Sequence, residues 1–365
     1  MNSFERINRA LARQQTDYVP IMLHNFMPAA REAGMTMKEF RSKPENMARA
    51  FVEASRKYDL DGVLTDMDTA LEACAMGAKT EFPDDLPAKV TAPIQTAFAT
   101  SLSQREKGHD AVRDERERDI AEVIEQVDPK KLQSDERVQI YLEAIRLIRR
   151  EIGGELFLRG NADQGPFSLA AAVLGLTETM TVMLDESKTE LLLQLIERCY
   201  DVHFAFHLMV KEAGADATSF GDSMGSPDLI SPKLYRKFVA PFQRRLAQDL
   251  SQHGIKTICH VCGKTDLILE SLAESGFAGY EIDYKTNIPK ARQVMNGKSV
   301  LFGILDPSGV FCLGTKSAIV TATTELLDLF SDGGLVIGAG CALPAETPSE
   351  NITAFVKTVR NRQLL

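Results

Sequence analysis

A single (β/α)8 TIM barrel, of the α/β class, is the fold this sequence predicts, and three observations carry it. Eight short apolar runs of strand length recur along the chain, and most are separated by helical patterns. Eight such units in 365 residues suit one closed parallel sheet with helical crossovers. No GxGxxG follows the first strand, which weakens the open, doubly wound sheet that is the alternative.

The elements follow in order. "YVPIMLH" (18–24) opens the sheet, and a helical pattern over 44–58 leads to "GVLTD" (62–66). The third strand is "LFLRGN" (156–161). A helix over 180–213 then precedes "ATSFGD" (217–222), and one over 233–252 precedes "KTICHVC" (256–262). Helices over 264–275, 287–296 and 316–330 alternate with "AGYEID" (278–283), "VLFGILD" (300–306) and "LVIGAGC" (335–341). Near-continuous aliphatic runs of this kind suit parallel strands covered on both faces. One stretch departs from the rhythm. "REKGHDAVRDERERDIAEVIEQVD" is dense in both charge signs and passes into "RVQIYLEAIRLIRREIGG", an amphipathic helix closed by two glycines. It is expected to be a charged helical excursion at about 104–150 within a single domain spanning 1–365: a solvated face, or a lid or docking surface.

Composition narrows the function. A net charge of −9 argues against a generic nucleic-acid binder. No run of 18 apolar residues exists, so no membrane span is expected. The start "MNSFERINRALARQQTD" lacks an apolar signal region, which points to a cytoplasmic location. Six cysteines are too sparse for a disulfide scaffold in this length and favour buried, metal-bound or catalytic thiols. Cys74, Cys199 and Cys312 carry no motif and read as packing.

In a barrel, reactive groups sit at the C-terminal ends of strands. His24, Asn25, Asp66, Asp68, Asn161, Asp163, Asp222, Ser223, His260, Cys262, Asp283, Asp306 and Cys341 all fall there. Asp, Asn and Ser also cap helices and turns, so each alone has a structural reading. His24, Asp66, Asn161, Asp163 and Asp222 are candidates for lining a substrate pocket. Residues two apart on a strand share a face. His260 and Cys262 therefore project together, with Cys259 turned toward the helices. Cys341 arrives at the same mouth from the last strand. One imidazole and two thiols with a fourth position open is the form of a catalytic zinc site. A buried neutral histidine beside two inert thiols is the structural alternative, and Asp222 is a candidate fourth ligand.

"HVCGKTD" and the later "GCALPAETPSENI" resemble the zinc-dependent corrinoid methyltransferases, a branch of the uroporphyrinogen decarboxylase superfamily that includes methylcobamide:coenzyme M methyltransferases. "YDLDGVLTDMDTALEACAMGA", "QGPFSLAAAVLG", "GADATSFGDSMGSPDLISPKLYRKFVAPF" and "VLFGILDPSGVF" are similar to segments of the same group. The resemblance implies a (β/α)8 barrel with zinc on His260, Cys262 and Cys341. It implies methyl transfer between a corrinoid (cobalamin) and a small acceptor or donor, such as a coenzyme M-like thiol or tetrahydrofolate. No D-x-H-x-x-G segment appears, so the corrinoid is expected on a separate protein docking at the mouth. The decarboxylases themselves carry an arginine-rich "RQAGR" motif and a late "GHG" run. This chain has "IMLHNFMPAAREAG", with Arg31 alone, and "GAGCALP". Asp66 does match the decarboxylases' key aspartate. Porphyrinogen decarboxylation and a non-catalytic zinc-binding barrel are the alternative readings. The oligomeric state is open, a homodimer included.

Overall fold

The chain, described by a computed structural model over residues 1–96 and 119–362, folds around one eight-stranded parallel sheet. Its strands are β1 (Met22–Leu23), β2 (Gly62–Thr65), β5 (Phe157–Gln164), β6 (Ala217–Gly221), β7 (Lys256–Val261), β8 (Gly279–Ile282), β9 (Val300–Leu305) and β10 (Leu335–Ala339). They pair in that order. An isolated bridge between Ile21 and Ile337 joins the two edges, and Ile337 N–H donates to the Pro20 carbonyl at 2.8 Å. The sheet is thus a nearly closed barrel, as the periodicity predicts. A two-stranded antiparallel hairpin, β3 (Lys79–Glu81) with β4 (Lys89–Ala92), lies outside it and was not anticipated.

Strand alternation sorts the side chains into two compartments. Met22, Leu64, Phe157, Ala217, Ile258, Val300, Phe302 and Val336 point inward and form a small apolar cluster. Leu23, Val63, Leu158, Phe220, Cys259, Tyr280, Leu301 and Ile337 point outward into the larger core beneath the helices. The inner cluster occupies the lower part of the barrel. Helix Ser3–Leu11 seals it from below by adding Ile7, Ala10 and Leu11. That helix is pinned by charge. Arg6 donates to the fully buried Asp61 at 2.5 Å, and Asp61 also receives Arg360 at 2.9 Å and the Ile21 amide at 2.8 Å. Both guanidinium groups face the ring of Tyr18, 3.8 and 4.3 Å from its centroid.

The expected helices appear with adjustments of local origin. The pattern over 180–213 is two helices, Leu176–Met183 and Thr189–Glu212, because Asp185 caps a 3-10 turn at Glu186–Lys188 and breaks the run. The pattern over 264–275 shrinks to Leu269–Ala273. Its first residues are held as a loop, with the Thr265 amide and hydroxyl both bonded to the Thr286 hydroxyl. Part of the charged excursion, 104–118, lies outside the described residues. Beyond it come a helix at 119–126, then Lys130–Ser134 and Glu136–Ile152, the last ended by Gly153 at φ +53. No single helix among the described residues is long and apolar enough to cross a membrane.

Closure depends on one glycine. A Cβ at Gly338 in β10 would collide with the backbone carbonyl of Met22 across the seam. Gly338→Ala is therefore expected to destabilise the fold by about 1–3 kcal/mol, the usual cost of overpacking. A lowered urea midpoint at unchanged m-value would register this, and an unshifted midpoint would remove Gly338 from the closure argument.

Candidate metal centre

Above the apolar cluster, the same inward register carries polar side chains. On β7, Ile258 belongs to the lower cluster, so His260 two residues on points inward above it. Cys259 and Val261 lie in the outer core. Cys262 follows at the strand exit, where its amide meets the Ser223 hydroxyl at 3.4 Å. Cys341 leaves β10 just after Gly340, whose amide donates to the Leu305 carbonyl at 2.8 Å. That contact is made where β9 kinks, at Gly303 (φ +78) and Ile304 (φ +91). A positive φ at a β-branched residue is unusual and belongs to a segment held by its surroundings.

The three side chains meet. His260 Nε2 is 2.8 Å from Cys262 Sγ, and Cys262 Sγ is 3.8 Å from Cys341 Sγ. One ligand atom from each lies within 4.8 Å of the others, all partly buried. The electrostatics suit a metal-binding set. Burial by itself would depress the His260 pKa, but Cys262 and Glu281 outweigh it and raise it to about 9. The Cys262 pKa is lowered, first by the hydrogen bond from the Cys341 thiol and then, against desolvation, by His260. The Cys341 thiol is pushed up by the same bond and by burial.

Glu281 sits behind this cluster. His260 Nδ1 donates to the Glu281 carbonyl oxygen at 3.1 Å and lies 3.5 Å from its carboxylate. That leaves Nε2 facing the sulfurs. The Glu281 carboxylate also takes Arg159 Nη1 at 2.6 Å, with both side chains buried. His24 Nδ1 approaches to 3.7 Å. Desolvation would raise the Glu281 pKa, yet Arg159, His24 and His260 hold it below the usual carboxylate range. From the same ring, His24 Nε2 donates to Asp66 at 2.6 Å, and Asn161 Nδ2 donates to the other Asp66 oxygen at 3.1 Å. Burial lowers the His24 pKa, while Asp66 and Glu281 raise it to about 9. Glu281 and Arg159 were not singled out from the sequence. The available signal was a charge inside each of two strands, "GYEI" and "FLRGNADQ", whose neighbours are buried.

Five of the candidates are committed elsewhere. Asp222 stands apart from the cluster: Oδ1 accepts from the Ser168 amide at 3.1 Å and its hydroxyl at 2.7 Å, and Oδ2 from Gln243 at 2.9 Å. With both oxygens committed, it locks the loop after β6 and is not placed as a fourth ligand. Asp163, at φ +59 beside a bulge in β5, accepts the Glu72 amide at 2.7 Å and so holds the start of helix Leu71–Met76. Asp68, Asp283 and Asp306 likewise bond loop amides. Glu72 continues into a buried chain through His203 Nδ1 (3.2 Å), His207 (3.0 Å between ring nitrogens) and Thr218 (2.7 Å). This chain lies behind the barrel wall and bridges helix to sheet.

An inward thiol–imidazole–thiol cluster at the mouth of a (β/α)8 barrel defines a class: barrel proteins with a metal-competent catalytic face. The particular family follows from comparison. The uroporphyrinogen decarboxylase (URO-D) family model matches residues 2–362, so the chain belongs to that family. Methylcobamide:CoM methyltransferase MtbA of Methanosarcina acetivorans is 28% identical over 225 residues, 62% of this chain and 64% of that protein. The MtaA enzyme of the same description from Methanosarcina barkeri is 29% identical over 230 residues, 62% of this chain and 65% of its own. The chain thus spans just under two thirds of the length of these relatives. A uroporphyrinogen decarboxylase of Xanthomonas euvesicatoria is 24% identical over 383 residues, 98% of each chain. A solved methyltransferase from Methanosarcina mazei superposes with TM-score 0.83 over 99% of both chains at 23% identity, which establishes the shared fold.

Glu281 is the structural hub of this mouth. Glu281→Gln leaves the buried Arg159 guanidinium without its counter-charge, and breaking such a pair costs about 3–5 kcal/mol. Chemical denaturation should show a loss of that size, and a change within error would mean that Arg159 finds another partner.

Proposed function

We propose that this protein is a zinc-dependent methyltransferase that moves a methyl group between a corrinoid carried by a separate protein and a small acceptor or donor. A thiol is the reading best suited to the sulfur-rich site; tetrahydrofolate or another methyl donor fits the same frame. The observation that carries the proposal is the convergence of His260, Cys262 and Cys341 from two strand tips. The donor set fits zinc. With Zn–S bonds of about 2.3 Å, tetrahedral geometry separates two sulfurs by roughly 3.8 Å, and Cys262 and Cys341 stand 3.8 Å apart. The His260–Cys262 contact of 2.8 Å is a hydrogen bond and would widen when a cation replaces its proton. The acceptor behind His260 Nδ1 is the usual companion of a ligating imidazole.

Zinc bound there would supply positive charge that lowers the pKa of a thiol and makes it a nucleophile at neutral pH. The chain's own residues do the rest. Glu281 fixes the His260 ring and its tautomer, and Cys262 is poised as a thiolate. His24, Asp66 and Asn161 form a hydrogen-bonded polar wall that would orient the small substrate. The apolar plug and the N-terminal helix close the barrel below, so reactants enter from the mouth alone. Porphyrinogen decarboxylation is less well supported, because polycarboxylates need several free cations. Arg159 is spent on Glu281, and Arg31 donates to the Ala345 carbonyl at 3.0 Å. Family membership and similarity to named methyltransferases support the proposal, and the named decarboxylases keep the alternative in the test.

Elemental analysis of the purified protein should find one zinc per chain, and methylcobalamin with a small thiol should give the absorbance of Co(I). Cys262→Ala and Cys341→Ala should lose the metal and the activity together, while Cys259→Ala, buried in the outer core, should keep both. Full zinc occupancy in the first two variants would overturn the ligand assignment. Coproporphyrinogen formation without zinc would establish the decarboxylase, and zinc without methyl transfer a non-catalytic barrel.

A further inference from the structure

Cys262 and Cys341 follow β7 and β10, which have β8 and β9 between them in the ring. Neighbouring strands stand about 4.8 Å apart, so the path along the wall is about 14 Å. Their sulfurs are nevertheless 3.8 Å apart. The backbone shows how the gap is closed. In β9, a Cβ at Gly303 would collide with the Ala339 carbonyl oxygen and stand 3.1 Å from Gly340 Cα. The tip of β10 therefore occupies the place where a side chain at 303 would project. A Cβ at Gly340 would in turn stand 2.8 Å from the Ile282 carbonyl oxygen and 3.2 Å from the Tyr284 amide nitrogen. Those atoms belong to the exit of β8, the strand beyond β9. The tip of β10 thus crosses over β9 and rests against β8.

β9 gives way to let it pass. Gly303 and Ile304 both have positive φ, +78 and +91. The alternation of side chains breaks there: Phe302 lies in the inner cluster, but Ile304 and Leu305 both join the outer core. A β-branched residue keeps such a φ only where its surroundings over-determine it. The Gly340 amide, bonded to the Leu305 carbonyl, fastens the crossing just beyond the kink.

We infer that Gly303 and Gly340 are positioning residues for the metal centre: their missing side chains let β10 cross β9 and bring the Cys341 sulfur to Cys262. The inference rests on the proposed zinc site and adds what sets its dimensions. Both glycines act through the backbone that carries Cys341, and neither has a side chain to offer as a ligand.

The test has two readouts. One is zinc affinity, by competition with a chromophoric chelator. The other, in the metal-stripped full chain, is the rate at which diamide links Cys262 to Cys341. In that reaction the two thiols give up two protons and two electrons, which reduce diamide to its hydrazine, and the linked peptides are read by mass. Gly303→Ala should bind zinc about tenfold or more weakly, as when other groups that orient ligands are altered, and should form the disulfide severalfold more slowly. Gly340→Ala has the milder overlap and should shift both readouts the same way in a chain that folds. Gly62→Ala overpacks the barrel floor against Met22 and Ile7, and should lower the urea midpoint while both readouts stay as in the parent. A folded Gly340→Ala chain with the parent's zinc affinity and disulfide rate would overturn the inference, whether or not Gly303→Ala folds. A parent that forms the disulfide readily yet binds no zinc would overturn the proposed metal site instead, and the disulfide rates of the glycine variants would still decide the crossing.

Discussion

The mouth of this barrel hangs on one buried carboxylate. Glu281 is drawn toward Arg159 on β5, His24 beyond β1 and His260 on β7, three elements that no covalent link holds together. Removing a carboxylate from water is costly, and it is tolerated because three cationic or cationisable groups surround it. The same arrangement fixes which nitrogen of His260 faces the sulfurs. Stability and chemistry therefore share a residue, and the polar layer above the apolar plug is a single connected unit.

Below that layer the barrel is ordinary. Aliphatic and aromatic side chains fill it and a terminal helix seals it, so the floor specifies no reaction. The side chains that bear on chemistry lie at the strand tips. There Cys262 and Cys341 meet His260, and the Arg159 guanidinium is paired with Glu281. Relatives described as decarboxylases and as methyltransferases both align with the chain, as expected where one scaffold carries different tip residues.

Much of this was legible in the sequence because the period-two rule is strict. All eight strands were readable from apolar runs, and the opposite orientations of Cys259 and His260 follow from counting alone. The meeting of Cys341 with Cys262 was legible once a closed barrel was assumed. Other features were not. Asp222 and Asp163 stand at strand ends, but whether such a carboxylate turns into the pocket or onto a loop amide depends on its neighbours. Glu281 escaped because mid-strand charges are usually solvated, and only the closed geometry makes this one interior. The helix at 180–213 was read as continuous because Asp185 interrupts the apolar period without a glycine or proline to announce it.

The N-terminal helix and Arg360 near the C-terminus both attach to Asp61, just before β2 begins. The two ends of the described chain therefore emerge together on the side away from the cysteines. A module fused to either end would have to reach around the full height of the barrel to touch the reacting groups. Anchoring the chain by either end would leave its working face open to solution.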